Sequence, residues 1–236
     1  MSPSVAERAR PAGEASKRLF DLAVTLALLM PGLPIMAATA LAVRLTDGKP
    51  VVFAAPRAGR GRRSFTCWKF RTMAAGEGPE DGVSGGDKAG RITRLGRRLR
   101  ALRLDEMPQL LHVLAGEMSL VGPRPPAPGY AARFPELYDE VLRIRPGVTG
   151  LATVMFHLHE ESILRASSSP AETDALYVRR CIPRKARLDL IYRDNAGLGL
   201  DIYVLYLTAG RFLPLPGRRA GRLRARAARE RQRQGR

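Results

Sequence analysis

The chain of 236 residues is poor in cysteine, histidine, aromatic residues and acid. Two cysteines, Cys67 and Cys181, are too few for a disulfide framework, and they read as reduced thiols in a cytosolic setting. Three histidines leave little for a metal centre. His157 and His159 stand beside Glu160 and Glu161, but no further Cys or His motif completes a zinc set, so this stretch reads as surface. Aromatic residues amount to 6%, which speaks against a nucleic-acid surface built on base stacking. The 22 acids face 40 lysines and arginines, a net charge of +18. Residues 211–236 alone hold ten Arg and one Glu, half of that excess. Such a charge requires an anionic partner: nucleic acid, lipid headgroups or a phosphorylated substrate. No internal repeat is evident, and the length suffices for one sizeable domain.

One long uncharged run stands out. Leu22 to Val43 contains 22 residues without a charge, about 33 Å as a straight helix and enough to span a bilayer. Pro31, Gly32 and Pro34 interrupt its centre, and an interior proline costs a helix about 3 kcal/mol. Basic residues flank both ends: Arg8, Arg10, Lys17 and Arg18 before, Arg44, Lys49, Arg57 and Arg60 after. Basic flanks mark the cytoplasmic side, so both ends favour the same face. A helix broken at Pro31 and Pro34, entering and leaving on one side, meets both conditions; a buried soluble hairpin is the alternative. Residues 1–16 are polar, lack the layout of a cleavable signal and read as a flexible terminus. The expected organisation is a re-entrant membrane helix over 17–47, a cytoplasmic domain over 48–210, and a basic disordered tail over 211–236 drawn to anionic lipid.

Pro50 to Met73 alternates around the Gly59/Gly61 turn and predicts a β-hairpin, with Lys69 and Arg71 on its second strand. Ala74 to Gly90 is rich in Gly, Asp and Glu and reads as a loop. In Arg91 to Leu104 the residues Ile92, Leu95, Leu99 and Leu102 share one face, with Arg91, Arg94, Arg97, Arg98 and Arg100 around them, the pattern of an interfacial amphipathic helix. A core-facing soluble helix would show a similar stripe.

That helix runs into LDEMPQLLHVLAGEMSLVGPR, residues 104–124. Pro108 is tolerated in a first helical turn, which places a helix start near Asp105 and an apolar face on Leu110, Leu111 and Leu114. Asp105 and Glu106 would then lie at the positive end of the helix dipole, in ionised form. An ionised Asp can attack phosphorus, and a neighbouring carboxylate can hold Mg²⁺. Acids at a helix start also serve simply as caps. Arg124 lies between Pro123 and Pro125, held in an extended backbone suited to bidentate phosphate binding. Arg145, in Arg-Pro-Gly-Val-Thr-Gly, is presented by a second rigid turn.

The run at 104–125 resembles the membrane-bound bacterial polyprenyl-phosphate sugar phosphotransferases, the monotopic phosphoglycosyl transferases. KRLFD at 17–21, GKPVVF at 48–53, WKFRTM at 68–73, RITRLGRRLR at 91–100, RPGVTGL at 145–151 and RLDLIY at 187–192 extend the resemblance in order. It implies an α+β, mainly helical monotopic membrane protein with an N-terminal re-entrant helix, a small β-hairpin and interfacial amphipathic helices. It also implies a place on the cytoplasmic face of the bacterial inner membrane. The implied reaction takes a nucleotide diphosphate sugar and Mg²⁺. Asp105 attacks the sugar-linked phosphate, a nucleoside monophosphate leaves, and the phosphosugar passes to polyprenyl (undecaprenyl) phosphate. Glu106, with Asp105, is the implied Mg²⁺ ligand. Lys69, Arg71, Arg124, Arg145 and Asp189 are the implied substrate-phosphate residues. The chain departs from the family at Met30, where a Ser usually precedes the proline, at Ala55, where Gln is frequent, and over 155–183, where the best-known members carry a short Asn-Gly-Arg segment; this stretch bears on sugar choice. Two rivals follow from the residues: a nucleic-acid-binding protein, disfavoured by the apolar run and the acid pair, and a catalytically inactive membrane adaptor of the same fold. The sugar, the nucleotide and the oligomeric state, a homodimer among the options, are left open.

Overall fold

A computed structural model of the chain describes residues 11–74 and 86–210. The basic tail at 211–236, residues 1–10 of the N-terminal segment and most of the Gly/Asp/Glu-rich loop lie outside the described residues. The architecture is mainly helical with two small two-stranded sheets, as expected for the α+β class.

Helix α1, Pro11–Thr46, carries the apolar run. It continues through Pro31 and Pro34 as one element, where the prolines predict a break. Each proline removes one backbone donor without ending the helix. Its outer face exposes Leu19, Leu26, Leu28, Leu33, Ile35, Leu41 and Leu45, and Met30 is 80% exposed. Its inner face buries Asp21, Thr25, Leu29, Thr39 and Val43.

Both ends of α1 are pinned to the rest of the protein. At the first, Lys17 reaches Asp21 (3.2 Å) and Asp201 (2.9 Å), and Asp21 accepts from the Ser119 hydroxyl (2.8 Å) and the Leu120 N–H (3.3 Å). Tyr192 closes this buried network, donating to Asp201 at 2.5 Å. Arg18 caps the far end of α3 (Gln109–Ala115) through the carbonyls of Val113 and Leu114. KRLFD is thus an anchoring motif. At the other end the Asp47 carboxylate accepts from Thr93 (2.9 Å), and Arg71 donates to the backbone carbonyls of Asp47 and Lys49.

The predicted hairpin forms from β1 (Val52–Ala58) and β2 (Ser64–Phe70), antiparallel, with Ala55 opposite Cys67 and Phe53 opposite Lys69. Helix α2 (Arg94–Ala101) follows, capped by the Thr93 hydroxyl, which accepts from the Gly96 N–H at 2.8 Å. Gly96, an apparent weakness in the helix, is where α2 lies against β2's continuation: a Cβ there would sit 2.1 Å from the Thr72 carbonyl oxygen.

Strands β3 (Ser119–Val121) and β4 (Gly147–Thr149) pair in parallel and join the Gly-Pro-Arg-Pro and Arg-Pro-Gly turns into one body. Gly122 N–H donates to Thr149 O and Gly147 N–H to Pro123 O, each at 2.9 Å. A Cβ on Gly147 would lie 2.1 Å from Gly122 N, and one on Gly150 2.1 Å from Gly122 O. Backbone cannot yield there as a flexible side chain can. Gly147→Ala is expected to cost about 3 kcal/mol or more, near the upper end for overpacking. A thermal melt of the detergent-solubilised variant unchanged from wild type would contradict this packing.

Short helices α4 (Pro128–Arg133) and α5 (Pro135–Val141) lead to β4, and α6 (Leu151–Leu164) follows it. Helix α7 (Pro170–Leu176) passes through a π-helical turn, Tyr177–Cys181, into α8 (Ile182–Asp194), and α9 (Leu198–Ala209) ends the described region. The main core gathers Leu29, Cys67, Leu110, Val113, Met118, Leu120, Val121, Tyr192 and Val204, from α1, the hairpin, α3, β3 and the last helices.

Candidate active site

The acid pair does not open a helix. Arg103 takes the left-handed backbone (φ 57°), which ends α2's course. Leu104–Glu106 then form a single 3-10 turn, and α3 begins only at Gln109, with Pro108 as its N-cap. The buried residues of α3 are Gln109, Leu110, His112 and Val113, while Leu111 faces outward, so the apolar face is rotated from its expected position. The helix dipole therefore does not explain the charge state of the acids; the side chains around them do.

Glu106, 6% exposed, is ringed by three cations. Lys69 Nζ reaches Oε1 at 3.0 Å, Arg124 the same oxygen at 2.5 Å, and Arg103 donates to Oε2 at 3.1 Å. Burial alone would raise the Glu106 carboxyl, but Arg124, Lys69 and Arg103 outweigh it and hold it well below the usual carboxylate range. The charge of Glu106 in turn raises Arg124, keeping it protonated. Asp105 is the opposite case. It is 8% exposed and its Oδ1 is buried without a hydrogen-bond partner. Burial pushes its carboxyl up and the Glu106 charge adds to this, while Lys69, Arg100 and Arg103 pull back without cancelling it. Burial lowers Lys69 against the pull of Glu106. One carboxylate is thus saturated with partners and its neighbour has one oxygen with none.

The presenting elements explain the geometry. From Met118 to Ala127 every residue is buried except Arg124, which stands half-open. The Pro126 carbonyl accepts from Ala58 N–H at 3.0 Å and ties this segment to β1. Lys69 lies on β2, whose neighbouring Trp68 N–H donates to His112 Nε2 at 3.1 Å. The imidazole is therefore protonated on Nδ1, which faces Glu117 at 2.6 Å. This buried histidine locks the Lys69 strand onto α3.

Of the residues expected at the site, Asp105, Glu106, Lys69 and Arg124 come together. Arg71 and Arg145 are otherwise engaged: Arg71 holds the α1–β1 connection, and Arg145 Nε donates to the Gly116 carbonyl at 3.1 Å. Pro31 and Pro34 lie within α1; between them, Gly32 packs near the end of the Met107 side chain. Asp189 is 6% exposed on α8, its Oδ1 also without a partner, and burial pushes its carboxyl up to about 7. An acid so held does not suit phosphate binding. Because its folded value lies above the ordinary 3.8, the stability it contributes is present below about pH 4 and is lost as pH rises through about 7. Asp189→Asn should remove this loss, which amounts to about 1.4 kcal/mol for each tenfold difference in proton affinity between the folded and unfolded chain. Melts at pH 5 and pH 8 that decline equally in variant and wild type would refute it. Arg103 and Arg100 join the acid pair although the sequence does not place them there. Both belong to the basic segment whose periodicity reads as membrane-facing, and only the left-handed turn at Arg103 brings it onto Glu106.

The carboxylates fit a divalent cation of the Mg²⁺ kind, which takes few protein ligands besides substrate phosphate. The unpartnered Asp105 oxygen is the atom such an ion would satisfy. Among the described residues no cluster of three or more His, Cys, Asp or Glu offers a site made by protein alone.

The family model described as bacterial sugar transferase matches residues 12–214. An undecaprenyl-phosphate glucose phosphotransferase of Komagataeibacter xylinus is 37% identical over 83% of this chain and 35% of its own length. An uncharacterized sugar transferase, EpsL, of Bacillus subtilis is 36% identical over 85% of this chain and 89% of its own. An exopolysaccharide production protein of Rhizobium leguminosarum is 34% identical over 81% and 92% respectively. The chain thus spans about a third of the Komagataeibacter relative and nearly the whole of the other two. The match over most of its length, with the acid pair and Arg124 inside it, makes this chain a member of the bacterial sugar transferase family.

Proposed function

We propose that the chain is a phosphoglycosyl transferase that moves a sugar 1-phosphate from a nucleotide diphosphate sugar to undecaprenyl phosphate. Relatives named for this transfer from UDP-glucose, and one from UDP-N-acetylgalactosamine, support the substrate class. The observation that carries the reading is the unequal acid pair: a saturated Glu106 beside an Asp105 with an unpartnered oxygen, among Lys69, Arg100, Arg103 and Arg124. Glu106 gathers the cations, and the cations receive the pyrophosphate. An Asp105 oxygen attacks the sugar-linked phosphorus, forming the O–P bond of an aspartyl phosphosugar as the pyrophosphate P–O bond breaks and the nucleoside monophosphate leaves. An oxygen of the polyprenyl phosphate then attacks the same phosphorus and frees Asp105. Covalent transfer lets a water-soluble donor and a lipid acceptor use one site in turn. Lys69, Arg103 and Arg124 stabilise charge on the phosphoryl oxygens. Asp105 and Glu106 would hold Mg²⁺, which supplies neutralisation of phosphate charge when bound.

Attachment to one membrane face is supported by the two anchored ends of α1. Residues on both sides of the apolar run grip the same folded body, while the outer face of the run exposes a continuous apolar surface. On this reading Pro31 and Pro34 bend the helix within the lipid rather than end it, and the folded body sits on the cytoplasmic side, as the basic flanks indicate. The protein should stay with membranes in high salt and leave in detergent; release by salt alone would refute insertion. The direct test supplies Mg²⁺, undecaprenyl phosphate and a panel of nucleotide sugars to purified protein. Acceptor-dependent release of nucleoside monophosphate from one donor is expected, and its absence from folded protein across the panel would refute the activity.

A further inference from the structure

A second polar cluster lies between α6 and α8. On α6, Glu160 Oε1 accepts from Lys185 Nζ of α8 at 2.8 Å. Lys185 also donates to the Tyr177 hydroxyl at 3.2 Å and stands 5.0 Å over the Tyr177 ring. Tyr177 opens the π-helical turn, a local distortion often found at functional sites. One turn beyond Lys185 on α8 lies Asp189, more than nine-tenths buried and with its Oδ1 unpartnered. Both helices meet the strand pair that presents Arg124: α6 follows Gly150, whose backbone lies on Gly122, and the Tyr192 hydroxyl of α8 lies 2.9 Å from the Val121 carbonyl oxygen. The Glu160 and Lys185 side chains retain 18% and 14% exposure.

The two groups differ in charge. Around the acid pair cations outnumber carboxylates, which suits a pyrophosphate. In the second cluster one ammonium answers one carboxylate, with a phenol and an acid held toward its neutral form beside them. That is a mixed set of donors and acceptors with little net charge, suited to a neutral ligand rich in hydroxyls. Stacking of a nucleobase is disfavoured because Lys185 already covers the Tyr177 ring.

We infer that Glu160, Lys185, Tyr177 and Asp189 form the subsite that binds the hydroxyls of the donor sugar. This rests on the transferase reading above. Glu160 and Tyr177 both fall in the 155–183 segment, where the sequence departs from the best-known family members.

Calorimetry on the full chain in detergent, with Mg²⁺ present, tests it using UDP, UDP-glucose and UDP-N-acetylgalactosamine. Wild type should bind UDP and at least one sugar ester. Glu160→Gln should weaken that ester about 10–100-fold, the loss expected for a hydrogen bond to a charged group, and change UDP affinity less than about twofold. Lys185→Arg, which keeps the charge and alters the reach, should act in the same direction. A thermal melt matching that of wild type shows that each variant is folded; if Glu160→Gln fails that check, Lys185→Arg decides. Equal weakening of UDP and ester in a folded variant, or no weakening of either, overturns the subsite and leaves the transferase reading standing. Wild-type protein that binds neither UDP nor any ester overturns both.

Discussion

Asp105→Asn should abolish nucleoside monophosphate release, by roughly 10⁴-fold or more, the scale on which a nucleophile's loss is felt, while raising the stability of the protein. Both effects have one cause. The Asp105 carboxylate is buried, one oxygen has no partner, and burial and the neighbouring charge raise its protonation point above the usual Asp value. An acid raised on folding contributes stability that is present below its unfolded value and lost as pH rises through its folded one. At neutral pH the ionised group is therefore a net cost, of the order of 1–3 kcal/mol for a buried unsatisfied polar atom. The amide carries no charge to desolvate. A gain of about 1 kcal/mol would appear as an increase of roughly 2–4 °C in Tm for a chain of this size. An inactive variant that melts higher than wild type is the expected pair of results. Substantial retained turnover would remove the covalent role, and a lower Tm would show that Asp105 has stabilising partners in the folded protein.

Glu106→Gln should shift stability the other way, although it makes the same chemical change one residue along. Glu106 is the common acceptor for Lys69, Arg103 and Arg124, and its amide would leave three cations together without a counter-charge. Breaking a buried ion pair by removing one partner costs about 3–5 kcal/mol; partial exposure of the three cations lowers this to about 2 kcal/mol. Lys69, already lowered by burial, would lose the pull that keeps it protonated. The sign of the pH dependence follows from the depressed carboxyl: its stabilisation is present above the ordinary value of 4.5 and is lost only as pH falls well below it. Wild type and Glu106→Gln should therefore differ in Tm by several degrees from pH 5 to 8 and converge only in strong acid. Turnover should fall by about 100-fold or more, as phosphate-binding cations lose their positions. Equal Tm values at pH 7 would refute the cation ring as a source of stability.

The parts of this protein that are legible in its sequence are those with a period or a length. The uncharged run and the alternation around Gly59 and Gly61 each correspond to an element, and of the stripe on Ile92, Leu95, Leu99 and Leu102 only Leu95 and Leu99 lie in α2, since Ile92 bridges to Met73 before the helix and Leu102 follows its end. Residues whose role depends on the destination of a long side chain are not legible. Nothing in the sequence near Arg71 or Arg145 says that a guanidinium will cap backbone carbonyls, and Arg103 resembles its basic neighbours until its backbone turns left-handed. His112 occupies one position in an apolar helix, and its link to the Trp68 N–H crosses 44 residues. Glu160 and Lys185 meet across 25 residues, between helices whose packing no local pattern encodes. The motif residues Asp105, Glu106, Lys69 and Arg124 could be grouped from the sequence because the family resemblance carries their tertiary arrangement.

Gly32, at the middle of the apolar run, lies against the Met107 side chain, and Met107 directly follows the acid pair. On the proposed membrane reading, the depth of α1 in the lipid would also set the height of Asp105 above it. In the proposed reaction, a lipid acceptor diffusing within its leaflet would meet Asp105 by a search confined to two dimensions, whereas the soluble donor would arrive from three.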